Sequence, residues 1–165
     1  MKKQLALALF GCLAFKAVAQ LDITAPANFQ IRNQKFGDLL RPEDANSKDG
    51  TRIVLYPGQP WKCMTWQTTP ATGRQYHLKN LFTSKTFAAK DQAVQQIPYA
   101  AEAKQRQAWE ITKLADGLFK ITDPQTGQAL TATGTGGDVR MVLAPWKYQP
   151  EQKWQVNPAP EKLTM

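Results

Sequence analysis

The sequence predicts an all-β domain built from three copies of one unit. Two observations support this prediction: a short alternating pattern recurs three times, and a tryptophan closes each copy. The alternating segments begin at Phe29, Tyr76 and Phe119, and each runs aromatic, polar, aliphatic, polar, then Asn or Asp. A period of two that ends on a turn-forming residue is typical of a half-buried strand that enters a turn.

Further anchors recur at fixed distances in each copy. A small turn residue follows the aliphatic residue by six positions, and a second apolar residue follows it by nine. The second apolar residues are Leu40, Phe87 and Leu130. The closing tryptophans are Trp66, Trp109 and Trp154, which are 43 and 45 residues apart. The conserved order of these anchors predicts repeats of about 43–47 residues with loop insertions between the second and third strands.

The three copies are expected at residues 27–68, 74–112 and 117–157. A unit of about four short strands cannot bury its apolar face alone. Three units around a pseudo-threefold axis would pool their aliphatic residues into one core. Helical potential is confined to residues 81–87 and 100–108, and we expect at most one helical turn in the second segment. Residues 20–27 and 157–165 are expected to lie outside the trefoil.

The N-terminal segment has the features of a secretory signal peptide. A positive start and an apolar run over residues 5–15 precede small residues that end at Ala19. We expect cleavage after Ala19, which leaves a single domain over residues 20–165 in a secreted or periplasmic location. Two alternatives are a retained amphipathic anchor and a lipoprotein acylated at Cys12.

Composition and charge exclude several classes of protein. The 165 residues carry a formal net charge of +8, and cleavage would remove three lysines and no acid, which lowers it to +5. Basic residues are scattered, so a nucleic-acid partner is not predicted, although a weak attraction to anionic glycans or membrane surfaces is allowed. No later stretch approaches the roughly 18–20 apolar residues of a transmembrane helix. Cys63 is the single cysteine after the leader and is expected to be buried.

The repeats resemble those of the ricin B-type β-trefoil family, which end in a Gln-x-Trp signature. The signature is intact in Gln107-Ala-Trp109 and Gln152-Lys-Trp154, whereas the first copy has Met64 in place of the Gln. The resemblance covers roughly residues 27–156 and implies a β-trefoil of three pseudo-symmetric repeats. It also implies structural roles for the signature, in which the indole fills the core and the amide bonds the backbone.

The family's usual activity is carbohydrate binding in shallow pockets. In a typical pocket an Asp accepts hydrogen bonds from sugar hydroxyls, a Gln or Asn assists it, and an aromatic ring stacks on the sugar. The residues that take the place of this Asp are Arg41, Ala88 and Thr131, so no copy keeps the carboxylate.

The aromatic and amide positions are also kept unevenly. Alignment of the third strands places Tyr56 at the stacking position of the first copy, and Pro98 and Ala144 at the same position in the second and third copies. The same alignment places Gln96 at the helper position of the second copy. Tyr99 follows one residue beyond the stacking position.

Two further tryptophans, Trp61 and Trp146, each lie between a proline and a lysine after a third strand. We expect them on one side of the domain, with Tyr99 near the matching place in the second copy. They would form an aromatic and basic rim for a glycan or a protein, or they would cover the core from loops.

Catalytic, metal and cofactor sites are not predicted. His77 is the single histidine, and a Cys63–His77 nucleophilic pair would lack an orienting third group. The acidic loop over residues 42–50 has alternating oxygen ligands that could bind calcium, although their spacing does not match an EF-hand, and the alternative is a solvated turn. The glycine-rich segment 133–138 lacks the Lys-Ser/Thr ending of a phosphate loop and is expected to be a hairpin.

The sequence therefore predicts an exported, non-enzymatic, lectin-like protein that binds cell-surface or envelope carbohydrate. The alternative is a β-trefoil for protein–protein contact, such as a delivery or accessory subunit of a bacterial toxin complex. The resemblance extends to the trefoil delivery subunits of cytolethal distending toxins, so toxin-complex subunits are possible partners.

Overall fold

The computed structural model describes residues 23–100 and 107–164. Within these ranges the chain forms twelve β-strands and no α-helix, which confirms the predicted all-β fold. The predicted signal peptide over residues 1–19, with Cys12 and the cleavage site, lies outside the described residues. Most of the segment 100–108, the predicted helical turn, lies outside them as well.

Each copy supplies four strands. The first has β1 (Ala27–Asn33), β2 (Leu39–Pro42), β3 (Ile53–Tyr56) and β4 (Trp66–Pro70). The second has β5 (Gln75–Asn80), β6 (Thr86–Lys90), β7 (Ala93–Ile97) and β8 (Ala108–Lys113). The third has β9 (Phe119–Thr122), β10 (Ala129–Thr135), β11 (Asp138–Ala144) and β12 (Lys153–Pro158). Short 3-10 turns lie at Glu43–Ala45, Lys62–Met64 and Pro150–Gln152.

Six strands close into a barrel through antiparallel pairs in the order β1, β4, β5, β8, β9, β12 and back to β1. The other six form three hairpins, β2–β3, β6–β7 and β10–β11, and β11 also pairs with β3 and β7. The expected hairpin at residues 133–138 is the tip of β10–β11. This arrangement of a six-stranded barrel and three linked hairpins is a β-trefoil.

The predicted anchors meet in one core. The aliphatic residues Ile31, Leu78 and Ile121 are fully buried, and so are the second apolar residues of each copy. The indole Nε1 atoms of the three closing tryptophans donate hydrogen bonds of 3.0, 3.2 and 3.2 Å to the carbonyl oxygens of Leu40, Phe87 and Leu130. Each tryptophan therefore joins the fourth strand of its copy to the second strand through the core.

The Asn that ends the first strand ties neighbouring copies together. Asn33 Nδ2 donates to the carbonyl oxygen of Glu151 at 3.0 Å, and Asn80 Nδ2 donates to that of Cys63 at 2.9 Å. Both acceptors lie three residues before a closing tryptophan. The third copy has Asp123, whose carboxylate accepts bonds within its own turn from Gln125 N. An ionised carboxylate cannot donate, so this side chain cannot make the link that the two asparagines make.

The C-terminal residues are part of the fold, in contrast to the expectation for residues 157–165. Ala159 N donates to the carbonyl oxygen of Asn28 at 2.9 Å. Thr164 N donates to the carbonyl oxygen of Pro60 at 2.8 Å, and the carbonyl oxygen of Thr164 accepts from Lys62 N at 3.0 Å. The backbone around Trp61 is therefore held by the chain end. Along the described residues, no helix is long and apolar enough to cross a membrane.

Candidate carbohydrate-binding site

The strand register corrects the alignment of the second copy. Leu40 lies opposite Leu55 and Leu130 lies opposite Leu143, but Phe87 lies opposite Gln96. The predicted alignment, which matched Ile97 to these leucines, is therefore wrong by one residue. Tyr56 corresponds to Ile97 and Ala144, and three prolines follow at equivalent positions. These are Pro57, Pro98 and Pro145.

Gln96 is a link between copies and does not form part of an open pocket. Its side chain is buried, and Nε2 donates to the carbonyl oxygens of Asn46 at 3.1 Å and Lys48 at 2.9 Å. These carbonyls belong to the loop between β2 and β3. A buried amide that satisfies two backbone acceptors stabilises the contact between the first and second copies.

The signature glutamines have the structural role that the resemblance implies. Gln107 Nε2 donates to Pro98 O at 2.8 Å, and its Oε1 accepts from Ala100 N at 3.0 Å. Gln152 Nε2 donates to Pro145 O at 2.8 Å and to Thr131 Oγ1 at 3.0 Å. Thr131, a predicted site residue, is therefore engaged in orienting Gln152.

The first copy differs because Met64 replaces the glutamine. Met64 is fully buried and packs with Leu39, Cys63 and the half-buried Trp61. A thioether cannot donate a hydrogen bond to the carbonyl after β3, so the exposed loop over residues 57–60 lacks this tie.

The structure brings together three of the predicted site residues, Arg41, Tyr56 and Trp61, which we call the first-copy cluster. Arg41 Cζ lies 3.7 Å from the centroid of the Tyr56 ring, and the side chain of Arg41 is 9% exposed. The Tyr56 and Trp61 rings are nearly parallel, with an interplanar angle of 28° and centroids 6.1 Å apart. Tyr56 is 38% exposed, so the cluster presents an aromatic surface to solvent.

Arg41 places a hydrogen-bond donor where the typical pocket of the family has an acceptor. A guanidinium donates hydrogen bonds and accepts none, whereas the Asp of the family accepts them. Nη2 of Arg41 lies 3.9 Å from Asp44 Oδ1, and the buried Nε has no hydrogen-bond partner among the described residues. A ligand group that approaches this side chain must supply acceptor oxygens.

The turn beside Arg41 has an uncommon backbone. Asp44 and Ala45 adopt positive φ values of 51° and 53°, a left-handed conformation that non-glycine residues rarely take. Glu43 closes the turn by accepting a hydrogen bond of 3.0 Å from Arg52 Nε. This bond lowers the pKa of the Glu43 carboxyl below its ordinary value. Strain of this kind is held in place by surrounding contacts and often accompanies functional sites.

The alternatives for catalysis and metal binding gain no support. Cys63 is fully buried, and burial raises the pKa of its thiol, which Arg41 only partly offsets. A thiol in this state is a weak nucleophile at neutral pH. In the acidic loop, Glu43 pairs with Arg52 and Asp49 pairs with Lys85. No group of three His, Cys, Asp or Glu residues in the described ranges could hold a metal ion.

The remaining aromatic residues have neighbours in their own copies, so Trp61, Tyr99 and Trp146 do not meet in a shared ring cluster. Tyr99 contacts His77 edge to face, with centroids 6.2 Å apart. Trp146 contacts Tyr148 edge to face at 5.6 Å. Tyr148 was missed by sequence reasoning, although it follows Trp146 by two residues, is 51% exposed and has a φ of 58°.

Comparisons with known proteins agree with this description. The fold and the bonds of the signature residues define a β-trefoil of the lectin type. A family model described as "Ricin-type beta-trefoil lectin domain-like" matches residues 57–144, more than half of the chain. The chain belongs to this family. No curated protein matches the sequence.

Three solved structures illustrate the likeness. The designed three-fold symmetric protein ThreeFoil superposes with a TM-score of 0.72 at 20% identity, over 79% of this chain and 97% of that one. The cytolethal distending toxin of Haemophilus ducreyi gives 0.69 at 16% identity, over 84% and 87%. The C-half of the earthworm R-type lectin, in complex with GalNAc, gives 0.64 at 16% identity, over 81% and 99%.

The chain also matches parts of longer proteins. It spans 18% of a mosquitocidal holotoxin chain and 31% of an exo-β-1,3-galactanase chain from Clostridium thermocellum. At these identities the likeness shows the fold alone.

Proposed function

We propose that this chain is an exported, non-enzymatic protein that binds cell-surface or envelope carbohydrate through the first-copy cluster. The observation that supports this proposal is the exposed Tyr56 ring, which lies beside Trp61 and over Arg41. A flat aromatic surface suits the apolar C–H face of a sugar ring, and an adjacent fixed donor orients the sugar's oxygens. Membership of the lectin-like family and the sugar-bound earthworm lectin support the same class of ligand.

The charge at the cluster favours an acidic sugar. Arg41 has replaced the acceptor of the usual pocket, and a guanidinium matches the planar carboxylate of a sialic or uronic acid. A neutral sugar would offer hydroxyl oxygens, which form weaker hydrogen bonds with a cation than a carboxylate does. We therefore expect an acidic saccharide to bind more tightly at this cluster than its neutral counterpart.

A glycan array that includes Galβ1-4GlcNAc and its form capped with Neu5Acα2-6 tests the proposal, because the two differ only in the acidic sugar. We expect saturable binding with a preference for the capped form. Tyr56→Ala should abolish the binding of the capped form, whereas Tyr56→Phe, which keeps the ring, should retain it. Arg41→Gln should remove the preference. A folded protein that binds no glycan on the array would refute the proposal.

A second candidate function is contact with a protein partner, such as the subunits of a toxin complex. It is favoured by the likeness to the cytolethal distending toxin and by the exposed Tyr148 ring beside Trp146. Under this hypothesis Tyr148→Ala would weaken association with a purified partner from the same gene cluster, and Tyr56→Ala would not. Sugar binding that persists in Tyr148→Ala, without any stable partner, would favour the lectin.

A further inference from the structure

A cleft of about 230 Å³ lies on the second copy, away from the first-copy cluster. Its walls come from the end of β4, the turn that leads into β5, and the loop after β7. The polar and aromatic residues that line it are Thr69, Thr72, Gln75, His77 and Tyr99. The cleft therefore joins the junction of the first and second copies to the aromatic residue that follows β7.

Three polar side chains of the cleft, those of Thr69, Thr72 and Gln75, are available to a ligand. Among the described residues, the hydroxyls of Thr69 and Thr72 and the amide of Gln75 form no intramolecular hydrogen bond. The contrast with Gln107 is clear, because both ends of the Gln107 amide bond the backbone. Thr69 and Gln75 are half-buried and Thr72 is exposed, and hydroxyl and amide groups of this kind without protein partners hydrogen-bond to water or to a bound polar molecule.

Tyr99 is held in place as an aromatic wall. The edge-to-face contact with His77, at an interplanar angle of 78°, fixes one side of the ring, and Lys79 Nζ lies 5.8 Å from its centroid. The carbonyl of the preceding Pro98 accepts the 2.8 Å bond from Gln107 Nε2, so the backbone next to Tyr99 is anchored. A ring that is already ordered loses little conformational entropy on binding.

The cleft continues into a second, more open one of about 280 Å³, which shares Thr72 and Gln75 and adds Pro124 and Gln125. The Gln125 amide likewise forms no intramolecular hydrogen bond with described residues. No Asp, Glu, Lys or Arg is found among the described residues that line either part. The combined groove is thus polar but free of lining carboxylates and ammonium groups, and it is longer than a single compact pocket.

We propose that this groove, which we call the Tyr99 groove, is a second binding site that takes a neutral saccharide chain of more than one sugar unit. One sugar would stack on Tyr99, and the hydroxyls of that sugar and the next would bond to Thr69, Thr72, Gln75 and Gln125. A neutral ligand is favoured because the lining offers hydroxyl and amide groups that match sugar hydroxyls and holds no charged side chain among its described residues, and because the nearby Lys79 ammonium already contacts the Tyr99 ring, with Nζ 5.8 Å from its centroid. This inference rests on the proposed carbohydrate-binding function and assigns it a second, chemically different site.

The test titrates the full protein with two neutral probes, N,N′,N″-triacetylchitotriose and Galβ1-4GlcNAc, and with the Neu5Acα2-6-capped trisaccharide as the acidic probe. Backbone amide chemical shifts in NMR spectra locate each probe. We expect the neutral probes to shift the amides of Thr72, Gln75 and Tyr99, and the acidic probe to shift those of the first-copy cluster. Tyr99→Ala should lower the affinity for the neutral probes about tenfold, equivalent to about 1.4 kcal/mol of binding free energy. Tyr99→Phe, which keeps the ring, should retain their affinity, and Phe82→Ala, which removes a 45% exposed aromatic ring outside both sites, should leave it unchanged.

Gln75→Ala serves as a second variant, because the half-buried Gln75 side chain has no structural bond and its loss should not unfold the protein. This variant should lower the affinity for the neutral probes several-fold and leave the unfolding temperature unchanged. If only the acidic probe binds, the Tyr99 groove is overturned while the proposed function stands. Neutral probes that shift the first-copy cluster and are lost in Tyr56→Ala would overturn it as well. If no probe binds folded protein, both proposals fail.

Discussion

The three closing tryptophans allow one prediction to be made three times in a single molecule. Each indole donates one buried hydrogen bond to the carbonyl of the second strand of its copy, at 3.0 to 3.2 Å, and each is at most 3% exposed. Replacing Trp66, Trp109 or Trp154 by Phe would remove the donor and leave a buried carbonyl unsatisfied, which costs about 1–3 kcal/mol. The smaller ring leaves about 40 Å³ of space, which costs about 1 kcal/mol more.

Each variant should therefore lose about 2–4 kcal/mol of unfolding free energy and melt about 6–12 °C lower. Urea titration followed by far-ultraviolet circular dichroism measures this loss without relying on tryptophan fluorescence. Trp146→Phe is the matched control, because the Trp146 indole is partly exposed and lies in a loop, and it should cost less than about 0.5 kcal/mol. If any closing tryptophan costs as little as Trp146, the three copies are not held by equivalent bonds.

Three further predictions follow from the structure. Gly134 has a φ of 127°, and a Cβ there would overlap the carbonyl oxygen of Asp138, so Gly134→Ala should cost at least about 2 kcal/mol. Gly136→Ala, which meets no atom within 4 Å, should cost about 1 kcal/mol from its positive φ alone. The hydrogen bond from Lys35 lowers the pKa of the Glu151 carboxyl. The ionised carboxylate therefore stabilises the folded protein at pH values above the ordinary carboxyl pKa, and this contribution is lost as the pH falls through the lowered pKa of the folded state. Glu151→Gln should therefore flatten the fall in melting temperature on acidification. Cys63 should react with a thiol reagent in urea but not in the native protein, since it is fully buried.

The repeated fold could be predicted from the sequence because its anchors are local and evenly spaced. Ile31, Leu78 and Ile121 repeat within strands whose alternation follows from the pleat, and the closing tryptophans lie at nearly constant distance from them. All of these residues are in the core. The spacing of the apolar residues was therefore sufficient to predict the fold.

The register of the second copy could not be predicted in the same way. Apolar Ile97 was the natural match for Leu55 and Leu143, but the buried position opposite Phe87 holds Gln96. A glutamine is tolerated there because two carbonyls from a distant loop satisfy it. Nothing local in the sequence indicates such a partner.

Of the two candidate sites, one could be predicted from the sequence and the other could not. The first-copy cluster was assembled from residues that a family pattern already marks, including Arg41 and Tyr56. The Tyr99 groove depends on the turn between β4 and β5 approaching the loop after β7, and on side chains that lack bonds. Both are properties of the folded surface, and sequence spacing does not report them.

The seam between β1 and β12 has a consequence for how the molecule is made. Five residue pairs, from Phe29–Pro158 to Asn33–Trp154, join the first strand to the last. Closing a chain loop of this length costs about 4 kcal/mol of entropy, which must be met before the barrel contacts can form. A nascent or proteolytically shortened chain that lacks β12 would leave β1 and β9 as unpaired sheet edges. Such edges promote association with other chains, so a chain without the last strand should associate more readily than the full chain.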